Sequence, residues 1–99
     1  MTDKLSNPVR SKLKSLAQRL NPLLVLGKPG ANEGFIRSLD ETLGLHELVK
    51  IRFGDFQDQR KEIAPQLAEK THSHLVWIVG HVAVFYRQNP DPQKRKVQV

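Results

Sequence analysis

The chain has 99 residues, a 38% hydrophobic share and no cysteine, which allows one small domain and excludes disulfides and thiolate metal sites. No apolar stretch approaches the roughly 20 residues that a bilayer span needs, and Met1 to Asn7 lacks the apolar centre of a secretory signal, so a cytoplasmic setting without a membrane partner is the simpler expectation. The formal net charge is +6, and its placement points to a polyanion partner.

Residues 1–20 carry five basic side chains against Asp3, residues 21–87 carry eight of each sign, and residues 88–99 carry Lys94, Arg95 and Lys96 against Asp91. The ends are basic and the middle is balanced. Residues 1–6 read as a flexible N-terminus, residues 7–87 as a folded domain, and residues 88–99 as a basic flexible tail.

Along the chain, Asn7 and Pro8 suit a helix start. Val9, Leu13, Leu16, Ala17 and Leu20 then form one apolar stripe, leaving Arg10, Lys12, Lys14 and Arg19 outside it. Asn21-Pro22 ends this helix, and Leu23–Leu26 reads as a short buried strand. Gly27-Lys28-Pro29-Gly30 follows as a tight loop, with Pro29 and Gly30 suited to the central positions of a type II turn. A second helix runs from a cap at Asn32, through Phe35, Ile36, Leu39 and Leu43, to a stop at Gly44. Leu48 to Phe53 alternates, placing Val49, Ile51 and Phe53 on one face and Leu48, Lys50 and Arg52 on the other. A third helix spans Asp58 to about Lys70, and Pro65 predicts a kink or a late start to its regular part. Leu75–Val79 and Val82–Arg87 pair across a Gly80-His81 hairpin turn. The order helix, strand, helix, strand, helix, strand, strand predicts a small α/β domain with a four-stranded mixed sheet.

The glycine loop carries the chemistry. Backbone N–H groups of Lys28, Gly30 and Ala31, the start of the next helix and the Lys28 ammonium together suit a phosphate. The glycine spacing fits neither the P-loop nor the dinucleotide fingerprint. It fits the G-x-x-G loop that clamps single-stranded nucleic acid in KH modules. His72 and His74 fall short of a metal site for want of further ligands. No nucleophile, base or paired carboxylate supports catalysis. No cofactor is expected. Trp77, Phe85 and Tyr86 read as core.

Leu23 to Gly30, then His46-Glu47-Leu48-Val49-Lys50-Ile51, then Val79-Gly80-His81 leading to Val84-Phe85-Tyr86-Arg87, together resemble the CRM domain, named for chloroplast RNA splicing and ribosome maturation. The short form is similar to the single-domain bacterial YhbY type. The resemblance implies a fold similar to the C-terminal domain of translation initiation factor three. It also implies a non-catalytic RNA-binding protein on precursors of the large ribosomal subunit. A monomer is expected, and the alternatives are a protein-interaction adaptor, which the balanced centre of the chain permits, or an RNA chaperone or splicing cofactor. Carried over, the RNA contacts are Gly27, Lys28 and Gly30, in a loop that includes Pro29, with Lys50, Arg52 and Arg87 as further candidates. Lys12 and Lys14 on the first helix, and the tail, supply longer-range attraction. Many relatives have a basic residue where this chain has His81.

Overall fold

Three helices and four strands build the domain in a computed structural model that describes residues 5–99. Residues 1–4, within the expected flexible N-terminus, lie outside the described residues. Helix α1 spans Asn7–Ala17. It is followed by β1 (Leu24–Leu26), α2 (Glu33–His46) and β2 (Leu48–Phe53). A 3-10 turn at Gln57–Gln59 then leads into α3 (Arg60–Lys70), β3 (His74–Val79) and β4 (Val82–Tyr86). The sheet order is β1-β2-β4-β3, with β1 parallel to β2 and β4 antiparallel to both β2 and β3.

The period-two pattern of β2 divides the molecule into layers. Val49, Ile51 and Phe53 join Leu26, Phe85 and the apolar faces of α2 and α3 in one core. Leu48 joins Val84, Tyr86, Leu13 and Ala17 in a second core on the opposite face, under α1. The sheet is therefore sandwiched, with α2 and α3 on one side and α1 on the other. Because α1 ends at Ala17, it leaves the β1 edge of its own face uncovered. Leu23 and Val25 are accordingly 51% and 49% exposed, so β1 is a half-exposed edge strand and not the buried run expected.

Several local expectations shift by a residue or more. Ser6 caps α1 in place of Asn7, its hydroxyl accepting the Val9 N–H at 3.4 Å. Asn32 caps α2 as expected, accepting from Phe35 at 2.9 Å. Gly44 does not stop α2. The helix continues to His46 and ends where Glu47 turns to φ 64°. A Cβ at Gly44 would make only ordinary contact with Arg87, 3.7 Å from Nη2. Helix α3 begins at Arg60 and runs through Pro65. The lost donor would have served the carbonyl of Lys61, and both residues are exposed, so water can take its place. At the hairpin, Gly80 takes φ 55° as a glycine-first turn requires.

The tail folds back onto the domain. Most of its side chains are exposed. Its backbone, however, returns to Glu47, whose buried carboxylate accepts N–H bonds from Asn89 (2.6 Å), Lys96 (2.5 Å) and Val97 (2.9 Å). Burial alone would raise the Glu47 pKa. These three donors and the nearby Arg95 outweigh it and hold the carboxyl below its ordinary value.

Candidate nucleic-acid interface

The loop Gly27–Gly30 leaves the C-terminal end of β1 and delivers the chain to the N-terminus of α2. The Gly30 N–H closes the turn onto the Gly27 carbonyl at 2.9 Å. The turn thus sits one residue earlier than expected, with Lys28 and Pro29 central and Gly30 just after them at φ 77°. That register consumes one of the three amides read as phosphate donors. Lys28 and Ala31 keep theirs without a partner among the described residues. The Lys28 side chain is exposed at the tip.

The residues after β2 brace this loop from below. Gly54 N–H and Asp55 N–H both donate to the Leu26 carbonyl at 3.0 Å. A Cβ on Gly54 would stand 3.0 Å from Val25 Cγ1 and 3.3 Å from that same carbonyl, so only glycine fits the approach without displacement. The hairpin also reaches this end of the sheet, where the Phe53 N–H donates to the His81 carbonyl at 2.7 Å. His81 is exposed. Three loops therefore share one end of the sheet: Gly27–Gly30, the segment after Phe53, and Gly80-His81.

Lys50 and Arg52 lie on the α1 side of β2, beside the uncovered edge. Arg52 pairs in register with Val25, two positions short of Gly27. Lys50 is one pleat lower and donates to the Leu20 carbonyl at 3.0 Å. Below it opens a groove of about 840 Å³ lined by Lys12, Arg19, Lys50 and Lys96 over Leu16, Leu20, Leu23, Leu48 and Val97, with Asn21, His46 and Gln98 also contributing. Among the described residues, no carboxylate lines it. The groove is where the two basic ends of the sequence meet. Lys12 and Arg19 come from α1 and its exit, and Lys96 from the tail that Glu47 holds down.

Two of the sequence candidates lie elsewhere. Lys14 sits over the Trp77 ring, 5.4 Å from its centroid, toward the β3 edge. Arg87 is at the far end of the sheet from the glycine loop, because Tyr86 pairs with Leu48 at the start of β2. Its guanidinium donates to Asp40 Oδ1 (2.6 Å), the Asp40 carbonyl (2.8 Å) and the Thr71 carbonyl (2.7 Å). It clasps α2 to the end of α3. Sequence reasoning grouped it with the loop because it could not see Asp40, 47 positions away.

Two residues at the interface escaped the sequence reading. Arg19 shares the groove, yet in sequence it is one more charge on a helix. Phe56 packs beside the loop, its ring Cε2 and Cζ 3.5 and 3.6 Å from where a Gly30 Cβ would be. A lone aromatic in a polar loop has no periodicity to expose it.

The site thus comprises a G-x-x-G loop at one end of a mixed sheet and a groove lined by basic side chains on the flank that leads to it. Residues 5–87 match the CRS1 / YhbY (CRM) domain family. The chain is 32% identical to a probable RNA-binding protein of Pseudomonas aeruginosa, over 91% of this chain and 88% of that one. It is 31% identical to an RNA-binding protein of Haemophilus influenzae, over 96% and 94%. The solution structure of a Staphylococcus aureus protein superimposes with a TM-score of 0.78 at 34% identity, covering 96% of this chain and 100% of that one. The chain belongs to the CRS1/YhbY family of CRM domains.

Proposed function

We propose that this protein is a non-catalytic RNA-binding protein that associates, as a cytoplasmic monomer, with precursors of the large ribosomal subunit. The observation that carries RNA binding is the track of cations from the groove to the loop: Lys12, Arg19 and Lys96, then Lys50, Arg52 and Lys28. Relatives named for RNA binding support the same reading. The ribosomal assignment rests on the family resemblance. In this reading the Lys28 ammonium and the amides of Lys28 and Ala31 hold phosphate, which fixes the RNA backbone without reading its sequence. The groove cations attract the strand over a longer range and make binding salt-dependent.

The apolar floor of the groove favours a second reading, a protein adaptor on the assembling particle. Leu20 and Leu23 are exposed there, and among the described residues the lining holds no Phe, Tyr or Trp, His46 being its one ring. Sedimentation of cell extract through a gradient, wild type beside Lys28→Glu, separates the two. RNA-guided association predicts that the wild type runs with large-subunit precursors and that the variant moves to the top. If the variant stays on the particle, the adaptor reading holds. If both remain at the top at low salt, the ribosomal assignment fails.

A further inference from the structure

We infer that Phe56 forms a nucleobase-stacking subsite beside the glycine loop, so that this end of the sheet holds a phosphate and a base together. The inference rests on the RNA-binding reading and adds a contact to it.

Phe56 is 41% exposed and belongs to neither core cluster. Its backbone is left-handed, φ 58° and ψ 33°, a conformation that favours glycine or asparagine. The turn itself has no use for a ring. A glycine would adopt the backbone without strain and still accept the Gln59 N–H at 3.0 Å. An aromatic residue in a strained position at a binding loop is the kind of outlier from which function is argued. The position is firmly held, since Gly54 and Asp55 anchor the segment to the end of β1. One ring edge lies beside Gly30, and the residue stays partly open to solvent.

Charge separates the roles of the two loops. Lys28 sits on the glycine loop, whereas Asp55 and Asp58, one and two residues from Phe56 in sequence, line a shallow polar hollow of about 270 Å³ in the same segment. Carboxylates repel phosphate but accept from the amino groups of bases, and a neutral ring stacks on any base face. The backbone of a bound strand would lie on the glycine loop, with a base turned across Gly30 onto Phe56.

The test compares wild type with Phe56→Ala, Phe56→Leu and Phe56→Trp by fluorescence anisotropy. One probe is a short single-stranded oligouridylate, the other an abasic ribose-phosphate chain of equal length. Stacking predicts that Phe56→Ala and Phe56→Leu weaken oligouridylate binding by between about five- and a hundredfold. The same variants bind the abasic chain as wild type does, and Phe56→Trp retains both affinities. Leucine fills the contact with Gly30 without stacking, so it separates a platform from a mere brace, and thermal melts of each variant report folding. The inference is overturned if Phe56→Leu matches wild type on oligouridylate, or if both probes lose affinity equally. A wild type that binds neither probe overturns the RNA-binding reading and this one with it. A wild type that binds both, with Phe56 variants unchanged, overturns this one alone.

Discussion

At the scale of single residues, two buried polar groups have opposite fates. The Tyr86 hydroxyl is buried and finds no partner among the described residues. An unsatisfied buried hydroxyl costs free energy, so removing it is cheap. Tyr86→Phe should leave stability unchanged or raise it by up to about 1 kcal/mol, read from denaturant unfolding. Glu47 is buried and fully used. Its folded-state pKa lies below the ordinary value of 4.5. A depressed carboxylate contributes stability at pH above its unfolded value, and that contribution disappears as pH falls through the folded value. The fold should therefore weaken from about pH 4.5 downward. Glu47→Gln should be less stable at neutral pH and should flatten that acid slope. Hydrogen exchange should also show faster opening at Asn89, Lys96 and Val97, whose amides the carboxylate holds. Unchanged protection there would mean that the tail is held by Val97 packing alone.

At the scale of elements, the docking of α1 depends on an irregularity in its neighbour. The β3–β4 register shifts between Leu75 and Trp77. Arg10 donates to the carbonyls of Leu75 at 3.0 Å and Val76 at 2.6 Å, meeting acceptors at the bulge. Hydrogen bonds from a charged donor are worth roughly 1.5–3 kcal/mol, and partial exposure reduces that figure, so Arg10→Ala should cost about 1–2 kcal/mol by chemical denaturation. A loss below a few tenths would show that Leu13 and Ala17 seat the helix unaided. This contact also shows what the sequence conceals. The stripe from Val9 to Ala17 and the alternation in β2 are legible because burial repeats with the period of the element. The G-x-x-G loop is legible because it is contiguous. Arg10, Glu47 and Arg87 are not, because each charged side chain is satisfied by backbone or carboxylate groups distant in sequence. By pattern alone they read as surface. Gly44 misleads in another way: it sits inside the last turn, and the left-handed residue that ends the helix is Glu47, at φ 64°.

At the scale of the whole molecule, the fold turns a charge distribution spread over both ends of the chain into one local field. Lys12 and Lys96 are far apart in sequence and line the same groove as Lys50. Arg52 continues that face toward the glycine loop. Counterion release makes the consequence countable. The log–log slope of affinity against salt for a single strand falls by about 0.7 for each phosphate neutralised. Replacing Lys12, Lys50 and Arg52 together with glutamine should therefore flatten the slope for oligouridylate by up to about 2. The melting temperature should change little, since among the described residues Lys50 alone of the three makes a hydrogen bond, at a solvent-exposed position. Arg87→Gln should do the reverse. It removes three bonds that tie α2 to the end of α3 and lowers the melting temperature, while the salt slope stays put. The two variants together test the geometry, because sequence alone grouped all four cations. A slope unchanged in the triple variant would move the RNA off the β1–β2 flank. A slope altered by Arg87→Gln would mean that the clasp opens on binding and that its guanidinium exchanges Asp40 for phosphate.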